Sequence, residues 1–291
     1  MANIFKSFYR NLFSGKIFVI KIGGQLVTDA KSRENIIKNI HELTQDGIKV
    51  LLIYGGGSAI DESIIQAGRK PLKIDGRRIS GEEDIKIIKK TLVGDLGFKI
   101  TESLVKLGLP ANVHNAVPPH WATARRRPKK NDIMRFDGTF QSINKKAIRD
   151  HFKECDLAVC PCLGFSSKGT ALNINADNVA IEIAASIKAS KLILMTNIDG
   201  VMVDEQVQSV LTATEIEQLI ADKIVTDGMR VKLENCVNAL RDGVKRVHIL
   251  NGLKKDTLRN EIYTAEGKGT MIVRANEKKK YIKEEVTKND Q

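Results

Sequence analysis

"IFVIKIGG", residues 17–24, is the stretch on which the reading of the fold turns. Ile17, Phe18, Val19, Ile20 and Ile22 are apolar, Lys21 interrupts them, and Gly23 and Gly24 end the run. A short apolar, β-branched run bounded by glycines fits a strand covered on both faces, as strands of parallel sheets are. Such a strand has no use for a cation in its interior. At its end, where glycines open the backbone, a cation can meet an anion.

Outward from this strand the pattern alternates. The spacing of Ile36, Ile37, Ile40 and Leu43 predicts a helix over 31–46, closed by Gly47, and "KVLLIY" at 49–54 predicts the next buried strand. "GGGSAIDESIIQAG" reads as a glycine loop entering a helix that ends at Gly68. Further helices are expected over 82–108, 144–153, 176–189 and 229–242, and further strands at "DLAVCPCL", "KLILMTN" and "RVHIL". Strands alternating with helices make an α/β fold, a mainly parallel sheet covered on both faces, whose ligands sit beyond the carboxyl ends of the strands. Residues 111–135, with three of the six prolines and a basic run at 125–130, read as a long loop or lid. The tail 275–291 reads as a frayed helix or disordered end.

The chain has 291 residues and carries 47 Lys and Arg against 35 Asp and Glu, a net charge of +12, so an anionic partner is expected. Aromatic residues make up only 5 % and no base-reading motif is present, which argues against a nucleic-acid reader; the run at 125–130 has the ordinary reading of a solvated loop. Cys155, Cys160, Cys162 and Cys236 make no disulfide framework and read as reduced thiols of a cytoplasmic protein. His151, Cys155, Cys160 and Cys162 lie close in sequence, but their spacing follows no standard zinc pattern, and no metal site is assigned. No apolar run reaches membrane-spanning length, and the N-terminus lacks the continuous apolar core of a signal peptide. Ile4, Phe5, Phe8, Tyr9, Leu12 and Phe13 form one helical stripe. It could pack on its own domain, contact another subunit, lie on a membrane surface or belong to a transit peptide.

Two glycine clusters at strand ends, Gly23 and Gly24, then Gly55, Gly56 and Gly57 before a helix, offer backbone N–H groups to a phosphate. Neither GxxxxGK[ST] nor GxGxxG occurs. Lys21 at the mouth of the sheet would neutralise charge that shifts during phosphoryl transfer. Asn173, Asn175 and Asp177 alternate before a helix where a single N-cap would need one of them. Lys232 falls in the first turns of an amphipathic helix, where a surface lysine is the ordinary reading. No serine, histidine and acid constellation stands out, and transfer to a carboxylate needs no base, because a group of pKa near ~4 is already deprotonated at neutral pH.

"KIGG", "YGGGSAID", "GRRIS", "LNINADNVA", "TNIDGV", "DGMRVK" and "EGKGTMIV", in this order between about 16 and 274, resemble the amino acid kinase family, in its branch acting on N-acetyl-L-glutamate. The resemblance implies an open αβα sandwich with an N-lobe at 16–175 for the acyl amino acid and dimerisation and a C-lobe at 176–274 for ATP, after an N-terminal helix at 1–15. It implies phosphorylation of the γ-carboxylate in arginine biosynthesis, with Mg²⁺ held mainly by the ATP phosphates. By motif, Lys21 and Lys232 hold the transferring phosphoryl group and Asp177 orients them. The five loop glycines, Asn197, Gly228 and Met229 meet ATP. Arg78, Asn173 and Asn175, with Gly56 and Gly57, meet the substrate.

The resemblance implies a homodimer or, since arginine-inhibited members carry an N-terminal helix that joins dimers, a hexamer (trimer of dimers), and an arginine effector would use Glu261, Gly267 and Gly269. The chain departs from the pattern at Tyr54, where a histidine often stands, at Asn197, where many members have an aspartate, at Asp256, where a histidine is expected, and over 111–135. A kinase for a related carboxylate, or a silent arginine-binding regulatory domain, are the alternatives that these departures leave open.

Overall fold

At the centre of the computed structural model lie the two apolar strands that the sequence marks most strongly, β1 (Ile17–Ile22) and β2 (Lys49–Tyr54), paired in parallel with Lys21 opposite Ile53. The structure describes residues 2–74, 77–128, 135–225, 227–264 and 267–278. The basic residues Lys129 and Lys130, the tail from 279 onward and the side chains of Ile4 and Phe5 lie outside the described residues.

Six more strands complete the central sheet: β3 (Asn112–Val113), β4 (Leu157–Pro161), β5 (Lys191–Thr196), β6 (Val210–Thr212), β7 (Val247–Asn251) and β8 (Gly269–Val273). Their order is β6-β8-β7-β5-β1-β2-β4-β3. Pairing is parallel except between β7 and β8, so the sheet is mainly parallel, as expected. Strands with full burial on both faces, such as Leu157–Pro161 and Val247–Asn251, are those that the apolar runs predict.

The helices are α1 (Ala2–Phe13), α2 (Gly24–Thr28), α3 (Ala30–Gln45), α4 (Gly57–Gln66), α5 (Glu82–Lys89), α6 (Gly97–Lys106), α7 (Lys145–Glu154), α8 (Ala176–Ile187), α9 (Ala213–Ala221), α10 (Asp227–Arg241) and α11 (Thr257–Tyr263). Local chemistry sets their ends. The Asp29 side chain accepts a hydrogen bond from the Ser32 N–H at 2.7 Å to open α3, which buries Ile36, Ile37, Ile40 and Leu43, and Gly47 at φ 78° follows it. Among the described residues no helix is long and apolar enough to cross a membrane.

The single helix expected over 82–108 is divided. Between α5 and α6, Lys90–Leu96 is π-helical, and the Leu92 carbonyl accepts from both the Gly97 N–H and, at 3.1 Å, the Tyr54 hydroxyl. A Cβ on Gly97 would stand 2.8 Å from that hydroxyl, so the wide turn and the glycine make room for Tyr54. Residues 111–135 are not one long loop either. Val113 and Asn112 form β3, and Ala122–Arg126 pairs with Gly138–Ile143 as a hairpin over the fully buried Trp121. Arg125 and Arg126, read as part of a solvated run, are strand residues. The N-terminal stripe is split: Tyr9 stacks on Phe13, Phe13 meets Phe18 edge-on at 5.3 Å, and Phe8 and Leu12 stay about half exposed.

From β1 the chain goes on to β2 on one side, whereas the strands that follow β5 in the chain, β6, β7 and β8, all lie on the other. The order therefore reverses between β1 and β5, and a crevice is expected beyond their carboxyl ends.

Candidate active site

Lys21, near the end of β1, aims its ammonium into this crevice and meets the Asp177 carboxylate at 2.8 Å. Asp177 stands in the first turn of α8, which the Asn175 side chain caps by accepting from the Asn178 N–H at 3.1 Å. From α10, Lys232 approaches the other Asp177 oxygen at 3.8 Å. Burial alone would push the Asp177 carboxyl up, but the ammoniums of Lys21 and Lys232 outweigh it and hold the group below its ordinary value. One carboxylate thus ties together two lysines 211 positions apart in sequence.

A cleft of about 260 Å³ opens beside this trio. Gly23, Gly24, Gly55, Gly56 and Gly57 form one wall. A Cβ on Gly24 would lie 2.8 Å from the carbonyl carbon of Gly56, so the two loops touch backbone to backbone, whereas at Gly23 and Gly57 nothing lies within 4 Å. Close contact between the loops leaves open space above Gly23 and Gly57 for an anion, but the Gly55 N–H, expected among the phosphate donors, is taken by the Ile22 carbonyl at 3.1 Å.

Arg78 lines the cleft next to Gly57. Its Nη2 meets Asp61 at 2.8 Å and donates to the Gly57 carbonyl at 3.1 Å, while its Nη1 is buried with no partner. Asp61 also holds Lys73 at 2.6 Å. Burial raises the Asp61 carboxyl, and the bonds from Lys73 and Arg78 bring it down below its ordinary value. A buried guanidinium nitrogen without a partner carries a cost that an incoming carboxylate removes. Asn173 and Asn175 line the cleft too; the Asn173 amide donates to Ser80 Oγ at 3.3 Å.

Other expected residues stand elsewhere. Asn197 is exposed just past β5, and its side chain accepts from Thr196 Oγ1 at 3.3 Å. Gly228 falls in the first turn of α10, and Met229 is partly buried against the core one residue later. None of these three lines the cleft. Glu261 and Gly267 are together beside His248 of β7, and Gly269 pairs with Leu250 farther along the same strand. Glu261 is buried, takes His248 Nδ1 at 2.6 Å and the Lys268 N–H at 2.7 Å, and a Cβ on Gly267 would press on its carboxylate at 2.9 Å. Lys191 Nζ lies 3.0 Å from the other ring nitrogen of His248. A guanidinium effector would have to displace an internal partner of Glu261.

The cleft also holds residues to which the sequence reading gave no role there: Lys73, Arg77, Arg127 and Asp137. Arg77 sits inside "GRRIS" and Arg127 in the basic run, but only the meeting of two hairpins shows that both face the same space. Of the cysteine and histidine group, Cys160 and Cys162 are buried, and burial pushes the Cys162 thiol up to about 11. His151 packs its ring on Trp121 at 4.8 Å. Among the described residues no three His, Cys, Asp or Glu side chains gather to hold a metal.

Comparison with known proteins agrees with this geometry. The model of the "Amino acid kinase family" matches residues 16–251. An acetylglutamate kinase of Kosmotoga olearia is 36 % identical over 264 residues, covering 91 % of this chain and 93 % of that protein. One from Methanocaldococcus jannaschii is 35 % identical over 276 residues, covering 90 % and 92 %. Among solved structures, N-acetylglutamate synthase from Neisseria gonorrhoeae, complexed with coenzyme A and N-acetyl-glutamate, superposes with a TM-score of 0.85 at 25 % identity. That match covers 94 % of this chain but only 63 % of the synthase. Carbamate kinase from Giardia lamblia shares the fold, with a TM-score of 0.63 at 17 % identity over 89 % of this chain and 99 % of that one.

Proposed function

The chain belongs to the amino acid kinase family, and on that footing we infer that it phosphorylates the γ-carboxylate of N-acetyl-L-glutamate with ATP, a step of arginine biosynthesis. The observation that carries the reading is the convergence of Lys21 and Lys232 on Asp177 beside two open glycine loops.

Arg78, held by Asp61 and with Nη1 free, takes the α-carboxylate in its planar fork, with Asn173 beside it. The γ-carboxylate is left pointing toward Lys21. ATP supplies the γ-phosphoryl group and Mg²⁺ neutralises its phosphate oxygens; Asp177 is committed to two lysines, so the ion would be held mainly by the nucleotide. In the transfer, a γ-carboxylate oxygen bonds to phosphorus as the bond to the bridging oxygen of ADP breaks. The electron pair leaves with ADP and no proton moves. Lys21 and Lys232 receive the charge that moves between acceptor and leaving oxygens, and Asp177 keeps both in reach.

In this reading residues 16–175 carry the acyl amino acid and 176–274 the nucleotide, for which Asn197, Gly228 and Met229 are at the same end of the sheet on the C-lobe side. A cytoplasmic homodimer or hexamer is in keeping with the exposed apolar residues Phe98 and Val105 on α6 and Phe8 and Leu12 on α1. The assembled lysine pair argues against a silent arginine-binding domain, which needs no such arrangement.

The test is trapping of acyl phosphate by hydroxylamine with ATP and Mg²⁺, comparing N-acetylglutamate, glutamate and N-acetylaspartate. Hydroxamate from N-acetylglutamate above the other acids supports the reading; none from any of them sinks it.

A further inference from the structure

The cleft is more basic than N-acetylglutamate requires. Five basic side chains line it, Lys21, Lys73, Arg77, Arg78 and Arg127, against the two acids Asp137 and Asp177. Three of the five have work in the reading above or a partner: Lys21 faces the phosphoryl group, Arg78 the α-carboxylate, and Lys73 is bound to Asp61. Arg77 and Arg127 remain, and an acetyl group, neutral and ending in a methyl, offers them nothing.

Acids answer them only in part, the half-buried Glu182 being near enough for its charge to act on Arg127. Arg127 leaves the Ala122–Arg126 strand, its backbone N–H fixed to the Asp137 carbonyl at 3.0 Å. The Asp137 carboxylate, buried at 4 % exposure, is gripped through both oxygens by Arg135, and Arg127 Nε reaches it only at 3.9 Å. Arg77 comes from the other hairpin, Arg77–Ile79, and among the described residues it makes no ion pair. Burial, and then the nearness of Arg77, hold the Arg127 guanidinium below its ordinary value. Two like charges brought together from separate hairpins repel, and an anion between them turns that cost into binding. They stand on the substrate wall: Asp137 bridges to Asn173 along the backbone.

We propose that Arg77 and Arg127 form a second carboxylate position at the acyl end of the substrate, so that the enzyme prefers N-acylglutamates whose acyl chain itself ends in a carboxylate, of the N-succinyl type, over neutral chains of equal length. The proposal rests on the phosphoryl-transfer reading above and leaves its bond changes as they are. It differs only in what the far end of the substrate carries.

The experiment compares N-succinyl-L-glutamate with N-butyryl-L-glutamate, which has a methyl where the succinyl chain has its carboxylate, with N-acetylglutamate alongside. Acyl phosphate is trapped as the hydroxamate and its position on the γ-carbon is verified by mass spectrometry. Wild-type kcat/KM for the succinyl compound is expected to exceed that for the butyryl compound by about tenfold or more, the scale of one charge-assisted contact. In Arg127→Gln, and separately in Arg77→Gln, the succinyl-to-butyryl ratio falls toward one; thermal melts identify a variant that has failed to fold, and the other then carries the test. A wild-type ratio within twofold of one overturns the proposal while turnover of N-acetylglutamate leaves the kinase reading standing. Hydroxamate from none of the three compounds removes both.

Discussion

Replacing Lys21 with methionine keeps the length and apolar stem of the side chain and removes its charge. Two separable effects follow from the geometry. The first is on the rate: one ammonium placed where charge moves in the transition state contributes about a hundred- to a thousandfold in kcat, or about 3–4 kcal/mol. The second is on stability. Asp177 loses its partner at 2.8 Å and keeps only Lys232 at 3.8 Å. Breaking a fully buried pair costs about 3–5 kcal/mol; Asp177 retains 20 % exposure and one lysine, which lowers the cost to about 1–3 kcal/mol and the Tm by about 2–6 °C. Steady-state hydroxamate assays at saturating ATP read the first, and calorimetry the second. The double variant Lys21→Met, Asp177→Asn separates them, since neutralising the half-paired carboxylate recovers part of the lost Tm, less what Lys232 loses, and leaves kcat low. A Lys21→Met enzyme with kcat within threefold of wild type refutes the assignment of Lys21 to the transferring phosphoryl group.

Arg78→Lys loses the fork and is expected to raise KM for the acyl amino acid about tenfold or more with a smaller change in KM for ATP; an unchanged KM moves the α-carboxylate elsewhere. Gly24→Ala drives a methyl into the backbone of Gly56 at 2.8 Å, so the two phosphate loops must part and kcat/KM for ATP is expected to fall about tenfold or more. Gly57→Ala, whose methyl meets nothing within 4 Å, is the control, with a Tm within about 1 °C of wild type. His248 is held down to about 4, by burial first and then by Lys191, so between its ordinary 6.5 and about 4 the unfolded chain binds a proton that the folded one refuses. Stability should therefore be present above 6.5 and lost as pH falls toward 4, whereas the depressed carboxyl of Glu261 beside it loses its contribution only below its own ordinary 4.5. His248→Gln should flatten the fall of Tm over that window, and an unchanged slope would place the pH dependence elsewhere.

Much of this architecture was legible because it is local. Ile17–Ile20 and Val50–Ile53 announce strands by composition, Gly47 marks the end of α3, and the glycines after β1 and β2 lie within a few residues of the strands that aim them. Lys21 and Asp177 could be singled out for the same reason, each standing at the boundary between an element and a loop. What escaped depends on partners far along the chain. The π-helical turn at Lys90–Leu96 accommodates Tyr54, 38 positions from the carbonyl to which it donates. The Ala122–Arg126 strand alternates too weakly to declare itself, with prolines before it and charge after it, and pairing with Gly138–Ile143 makes it a strand. Glu261 reads in the sequence as an effector contact, and the sequence does not show that His248, with Lys191 behind it, already occupies its carboxylate.

The same distinction explains what a net charge of +12 can and cannot say. From the total, nucleic acid, an acidic surface and a phosphorylated small molecule are equivalent. The structure separates charges by whether an acid already answers them. Lys146 and Lys153 on α7 share Asp150, and Lys99 on α6 pairs with Asp95; these are exposed pairs within a single helical segment and add little to stability. In the crevice the ratio is reversed, and one carboxylate serves both Lys21 and Lys232. Cations that outnumber their acids inside a cleft repel one another unless anions enter, so the fold is most at ease when substrates are bound. That condition favours binding of anions at the carboxyl ends of β1 and β5 over binding on the outer faces, where Lys99, Lys146 and Lys153 have an acid one turn away.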